Sequence, residues 1–189
     1  MILYHGSSVG NRKKLDPFVS EHKKPYVYLT SNPVVALLYT VKAVPKPFSF
    51  YPYGFDGDSA VVYSEYYDHC FSDIYRGKKG FLYLCRSVRK AENPTNINSV
   101  YACEFPVWPD ACIEIADVYL KLMEFKEKGL FKIKPFHAVS KQEMRYVYED
   151  MRNTMKRYHL KAVPENPMSI FIKTHFPAVW RETLPSTAD

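Results

Sequence analysis

Short apolar runs alternate with polar turns along the chain, and this pattern predicts a mixture of strands and helices. Residues 2–4 and 26–30 are rich in β-branched and aromatic side chains, which predicts two buried strands. A glycine and two serines follow the first strand and predict a turn, because glycine lets the backbone bend sharply. A helix is predicted over residues 32–43, since Ser31 or Asn32 can cap its start and a proline suits its first turn.

The remainder of the chain predicts further elements of both kinds. Helical spacing of apolar residues predicts helices over residues 61–75, 116–128 and 140–158. The last of these begins with a capping box made by Ser140 and Glu143. Strands or extended segments are predicted over residues 81–85, 100–107, 112–115 and 131–136, and 112–115 also fits the start of a helix. Irregular structure is predicted for residues 10–24, 42–58 (a packed surface loop or a lid) and 164–189.

The order of these elements has no regular βαβ period, which predicts an α+β fold rather than a doubly wound sheet. The 189 residues predict a single domain spanning residues 1–189, in which residues 137–189 form a C-terminal helix and an irregular tail. Hydrophobic residues make up 47% of the chain, which is enough to build a packed core. The sequence has neither Gly-x-Gly-x-x-Gly nor Gly-Lys-[Ser/Thr], so a nucleotide would not be bound through a Rossmann fold or a P-loop.

The net charge and the cysteines narrow the choice of partners. The formal charge is +6, which favours an anionic ligand or nucleic acid, although a solvated basic surface explains it better than specific binding of nucleic acid does. The four cysteines contain no Cys-x-x-Cys pair, so we predict reduced thiols and no metal site. Because no apolar run could span a bilayer and no signal peptide is visible, we expect a cytoplasmic protein without a membrane partner.

Two motifs in the first 40 residues suggest a family. The first is His-Gly-Ser at the end of the first predicted strand, and the second runs from Tyr28 to Tyr39, eleven residues later. Together they resemble the ADP-ribosyltransferase superfamily, in the branch of the poly(ADP-ribose) polymerases and rifampin ADP-ribosyltransferases. The resemblance implies a split antiparallel β-sheet core with flanking helices, here with a C-terminal helical extension, and NAD as the substrate.

The resemblance also implies a role for each matching residue. His5 would hold a ribose hydroxyl, and Gly6 would offer backbone groups to the nicotinamide amide. Ser7 would also be one of the residues that bind NAD. Tyr28 and Tyr39 would sandwich the nicotinamide ring, whose positive charge suits an aromatic face. Ordinary turn and core roles remain open for all five residues.

The acid that would stabilise the developing ribosyl cation is less well defined. Glu104 is the first candidate, because it is a charged residue among apolar neighbours in a predicted strand downstream of the tyrosine motif. Glu143 and Glu65 are the other candidates, although a capping box already explains Glu143. One expected contact is missing, since Val35 replaces the serine that precedes the helical alanine in the polymerase branch.

Three functions therefore stay open. The first is an NAD-dependent ADP-ribosyltransferase, or a glycohydrolase with water as the acceptor. The second is a binding domain of the same fold that has lost its acid, and the third is an enzyme like the RNA 2'-phosphotransferases. The sequence leaves the acceptor open among protein, nucleic acid and small molecules, and it leaves the oligomeric state open.

Overall fold

The computed structural model of the chain describes residues 1–19, 24–41, 53–57, 60–93, 97 and 99–182. Most of the predicted loop or lid over residues 42–58 lies outside these ranges. The contacts within the chain define two compact units. The first unit comprises Met1–Lys42, Gly54–Tyr63 and Phe71–Ile133, and the second comprises Ala43–Tyr53, Ser64–Cys70 and Lys134–Asp189. The expected single domain stays a prediction.

The elements are a mixture of short strands and helices, and the predicted α+β class is confirmed. The strands of the described residues are β1 (Leu3–Ser7), β2 (Phe18–Val19), β3 (Pro25–Thr30), β4 (Tyr53–Asp56), β5 (Ala60–Ser64), β6 (Gly80–Cys85), β7 (Val100–Cys103), β8 (Ala111–Ile115) and β9 (Phe131–Lys134). The helices of the same residues are α1 (Pro33–Leu38), α2 (Cys70–Tyr75), α3 (Val118–Glu127), α4 (Lys141–Arg157), α5 (Pro167–His175) and α6 (Pro177–Arg181).

Among the described residues, the first unit contains a six-stranded sheet with the order β2-β3-β1-β6-β8, and β7 pairs with β3. The pairs of this sheet are antiparallel. A second sheet has the order β4-β5-β9. In the six-stranded sheet, β1 pairs with β6 along its whole length, so that Leu3 lies opposite Cys85 and Ser7 lies opposite Phe81.

The two faces of β1 meet different parts of the first unit, because successive side chains of a strand point to opposite faces. One face carries Leu3, which belongs to a buried cluster with residues of β3, β6 and β7. The other face carries Gly6, where a Cβ atom would lie 1.9 Å from the carbonyl oxygen of Ala36 in α1. Gly80 of β6 is covered in the same way by Thr40. The two glycines therefore let the α1 segment pack directly on the sheet.

The second unit is mainly helical. Ser140 and Glu143 form the predicted capping box of α4 with both of its hydrogen bonds present, and the predicted helix over 140–158 is confirmed. Arg152 of α4 forms a two-bonded ion pair with Glu182, at 2.6 and 2.7 Å. An aromatic cluster joins Tyr67 to α5 and its end, and its other members are Phe171, His175 and Phe176.

The predictions for residues 61–75 and 164–189 are wrong. The predicted helix over residues 61–75 is instead strand β5 followed by α2. Val61 and Tyr63 are both fully buried two positions apart, which is the spacing of a strand rather than a helix. The predicted irregular tail contains α5 and α6, because Pro167 and Pro177 occupy first turns, where proline favours a helix.

Within the described ranges, no helix is both long enough and apolar enough to cross a membrane. The longest helix is α4, and its sequence alternates apolar residues with charged ones. Its buried side chains are Val147, Met151, Thr154 and Met155, which recur at helical spacing along one side. This pattern is typical of a helix that packs on a protein core.

Candidate functional site

The two sequence motifs meet at the boundary between β1 and β3. In the described part of the chain, these strands are paired at one position, where Tyr4 lies opposite Thr30. One residue further along β1, Nδ1 of His5 lies 2.8 Å from the carbonyl oxygen of Tyr28. The His5 ring thus contributes a side-chain bond to β3 where regular pairing has ended. The structure brings His5 and Tyr28 together, although they are 23 positions apart in sequence.

This bond fixes the chemical state of His5. A carbonyl oxygen can only accept a hydrogen bond, so Nδ1 carries the proton and donates it. Burial lowers the pKa of His5, the bond to the Tyr28 carbonyl opposes that shift, and the positive charge of Arg12 adds to it. The imidazole is therefore neutral at pH 7, and its Nε2 is a hydrogen-bond acceptor. Among the described residues, the bond to Tyr28 is the one hydrogen bond that the ring makes.

Tyr28 lies on the face of β3 that points away from the buried cluster of Val27 and Leu29. Its ring is half-buried and packs edge-on against Tyr26 and Phe18, with centroid distances of 5.8 and 6.2 Å. Tyr28 therefore has the packing role that the sequence left open for it, as part of an aromatic cluster. Its carbonyl oxygen is the atom that is bonded to His5.

Tyr39 is placed differently from the expectation. Helix α1 ends at Leu38 rather than near residue 43, and Tyr39 is its C-cap with 41% of its surface exposed. Val35 and Ala36 are buried in the helix, whereas Tyr39 lies beyond its last residue.

Gly6 and Ser7 are strand residues rather than turn residues, so the predicted turn begins too early. Gly6 pairs with Leu82 of β6, and its close approach to α1 explains why a glycine is needed there. The hydroxyl of Ser7 accepts a hydrogen bond from the backbone of Val9 at 3.1 Å. Gly6 thus has a packing role that is independent of any ligand.

A short loop after β1 crosses the sheet beside His5. Tyr83 of β6 lies opposite His5 and is fully buried. Its hydroxyl donates to the carbonyl of Val9 at 2.8 Å and accepts from the backbone N–H of Arg12 at 3.1 Å. Gly10 lies over the ring of Phe81, where a Cβ atom would be 2.4 Å away. No sequence motif links Tyr83 or Arg12 to His5, because their relation depends on the pairing of β1 with β6.

Glu104 lies at the surface, immediately after β7. The predicted strand over residues 100–107 ends at Cys103, so Glu104 is not inside a strand. Ala102 lies opposite Tyr28, which puts the acid near the start of β3. Its side chain is 51% exposed, and Lys24 Nζ lies 3.6 Å from its carboxylate. Glu104 is therefore a half-exposed, ion-paired carboxylate that follows the end of a strand.

The other two acidic candidates belong to the second unit. Glu65 is buried. Glu143 accepts bonds from Ser140 and Lys134, with Lys134 Nζ at 2.8 and 2.9 Å from its two oxygens. The bond to Lys134 is the main cause that lowers the pKa of Glu143 to about 2, and the bonds to Ser140 add to it. Capping and ion pairing thus account for Glu143.

Ser99 immediately precedes β7. The carbonyl of Ser99 accepts a bond from the backbone of Ser31 at 2.9 Å, which ties this point to the end of β3. The Ser99 hydroxyl oxygen is buried and has no hydrogen-bond partner among the described residues. A serine hydroxyl carries no charge at pH 7, so it would not stabilise a developing cation as a carboxylate does.

The remaining candidate chemistry of the chain is metal binding and cysteine chemistry. In the ranges that the structure describes, no group of three or more His, Cys, Asp or Glu residues is arranged to hold a metal ion. Cys70, Cys85 and Cys103 are buried, Cys112 is exposed, and all four are free thiols. The sequence matches no protein-family model, and neither a curated protein nor a solved structure matches it.

Proposed function

We propose that the first unit has an ADP-ribosyltransferase-like fold and binds NAD where β1 and β3 separate. In this proposal the protein is an NAD-dependent ADP-ribosyltransferase. The observation that carries the proposal is the 2.8 Å bond from His5 Nδ1 to the Tyr28 carbonyl, because it joins both motifs and leaves Nε2 as an acceptor. The antiparallel sheet, with β1 and β3 joined at one pair in the described residues, supports the fold assignment.

Each residue of the site has a chemical task in this proposal. His5 Nε2 accepts the hydrogen of a ribose hydroxyl and so orients the sugar. Tyr28 and the exposed ring of Tyr39 offer aromatic faces to the positively charged nicotinamide. When the bond between nicotinamide and ribose breaks, its electron pair leaves with nicotinamide and positive charge develops on the ribose. An acceptor atom with a lone pair then forms the new bond to the ribose carbon that nicotinamide has left.

Whether Glu104 acts as the catalytic acid distinguishes the proposed enzyme from a second candidate function. In the enzyme, Glu104 would stabilise the positive charge on the ribose. Its exposure, its contact with Lys24 and its position after the end of β7 favour a second candidate, a domain that binds NAD without breaking it. A carboxylate in water and beside a lysine stabilises a nearby cation only weakly.

The first experiment measures binding and turnover separately. Purified protein is incubated with NAD, free nicotinamide is quantified by chromatography, and binding is followed by thermal shift. We expect His5→Ala and Tyr28→Ala to lose both signals while the protein stays folded. Tyr146→Ala is the matched control for Tyr28, because Tyr146 is 61% exposed and lies in the second unit.

A pair of glutamate variants then tests the acid. Glu104→Gln should keep NAD binding and abolish nicotinamide release. Glu114→Gln is its control, because Glu114 has a similarly exposed side chain that also contacts a lysine, Lys79, at 2.7 Å. Binding without release in the wild type would identify the second candidate. A wild type that neither binds nor cleaves NAD would refute both.

A further inference from the structure

The position of Arg12 relative to His5 is set by a hydrogen bond between the loop after β1 and strand β6. The backbone N–H of Arg12 donates to the hydroxyl of Tyr83, and Tyr83 lies directly opposite His5 in the β1–β6 pair. Opposite residues of an antiparallel pair share one face of the sheet. The preceding residue, Asn11, has a left-handed backbone with φ of 58°, which turns the chain at this point. The loop therefore fixes the backbone of Arg12 at the hydroxyl of Tyr83, whose ring centroid lies 6.1 Å from that of His5.

No acidic side chain of the described residues neutralises the charge of Arg12. Arg12 is exposed and forms no ion pair among the described residues, whereas nearby Lys14 contacts Asp16 at 2.9 Å. Burial is the main cause that lowers the pKa of His5, and the Arg12 charge contributes to the same shift. A guanidinium without an acidic partner attracts an anion. Among the described residues it makes no hydrogen bond to the His5 ring, so Nε2 stays an acceptor.

We propose that Arg12 forms an anion subsite that binds the diphosphate of a nucleotide whose ribose is held by His5. This inference rests on the proposed function and specifies which part of the ligand the loop after β1 contacts. The diphosphate of NAD is attached to the ribose through a single methylene group, so it lies close to any residue that binds the ribose hydroxyls. A guanidinium suits it because its planar N–H groups bond two phosphate oxygens at once.

The test compares ligands with and without phosphate. Binding of NAD, inorganic pyrophosphate and nicotinamide riboside is measured by calorimetry for the wild type and for Arg12→Gln. We expect Arg12→Gln to weaken the binding of NAD and of pyrophosphate by about 10- to 100-fold. The affinity for nicotinamide riboside should not change, since that ligand has no phosphate. Lys13→Gln is the matched control, because it removes the same charge at the next exposed position. Equal losses in the two variants would overturn the subsite.

A second readout works without NAD. The titration of the His5 ring is followed by NMR with and without pyrophosphate. A bound anion offsets the Arg12 charge, so we expect pyrophosphate to raise the pKa of His5 in the wild type and in Lys13→Gln, but not in Arg12→Gln. A shift that persists in Arg12→Gln would refute the subsite.

The two readouts separate this inference from the proposed function. Arg12-dependent binding of pyrophosphate without any binding of NAD would refute the proposed function and retain the anion subsite. Tight binding of NAD that is equal in Arg12→Gln and Lys13→Gln would retain the function and refute the subsite. Absence of binding by all three ligands would refute both.

Discussion

Gly6→Ala tests how closely α1 packs on the sheet. A Cβ atom at residue 6 would lie 1.9 Å from the carbonyl oxygen of Ala36, 2.9 Å from its carbonyl carbon and 3.2 Å from the backbone nitrogen of Thr40. All three are main-chain atoms, so no rotation of a side chain relieves the clash. The helix must retreat by about 1.5 Å to restore an ordinary contact.

The expected cost follows from two opposing effects. Forcing an extra carbon into a packed contact costs about 1–3 kcal/mol, and a clash with rigid backbone belongs at the upper end. Replacing glycine also lowers the conformational entropy of the unfolded chain, which offsets about 0.4–1 kcal/mol of the loss in stability. We expect a net loss of about 2 kcal/mol in the free energy of unfolding. For a chain of this size, that corresponds to a melting temperature lower by about 4–8 °C.

Denaturant unfolding followed by circular dichroism measures this loss. Gly54→Ala is the matched control, because Gly54 is also a strand glycine, yet a Cβ atom there meets nothing within 4 Å among the described residues. If Gly6→Ala and Gly54→Ala agree within about 0.5 kcal/mol, the close packing of α1 is refuted. If Gly6→Ala is as stable as the wild type but no longer binds NAD, Gly6 is a ligand-binding residue instead.

Three further predictions concern the loop and the titrating groups. Tyr83→Phe removes the hydroxyl that holds Arg12, so we expect a loss of about 1–3 kcal/mol and faster amide exchange at Arg12 by NMR. Because the pKa of His5 is lowered below 6.5, its contribution to stability is complete above pH 6.5 and is lost as the pH falls through its folded pKa; His5→Gln should flatten that part of the curve. The pKa of Glu143 is lowered from 4.5 to about 2, so stability should fall again between these values, and Glu143→Gln should abolish this second step in acid unfolding curves.

The sequence predicts elements well where one local signal dominates. The capping box of Ser140 and Glu143 identifies the start of α4, and the predicted helix over 116–128 agrees with α3 (Val118–Glu127). The prediction fails over residues 61–75, because apolar side chains there fit a helical spacing as well as a strand. Burial of alternate residues, which distinguishes the two, depends on the rest of the fold.

The candidate site shows the same limit. His5 and Tyr28 can be selected from sequence because each belongs to a short motif. Arg12 and Tyr83 cannot, since their relation to His5 depends on which strand pairs with β1 and in which register. The end of α1 at Leu38 was also missed, because no glycine or proline marks it in the sequence.

The single pair that joins β1 to β3 among the described residues has a mechanical consequence. It divides the sheet into two leaves, one of β2, β3 and β7 and the other of β1, β6 and β8. Main-chain hydrogen bonds are continuous within each leaf and sparse along the seam, which is the boundary between β1 and β3. The imidazole of His5 adds one hydrogen bond across this seam. A ligand wedged into this seam would become an additional connector between the leaves. Its arrival should therefore slow amide exchange in both leaves together, including at positions that it does not touch.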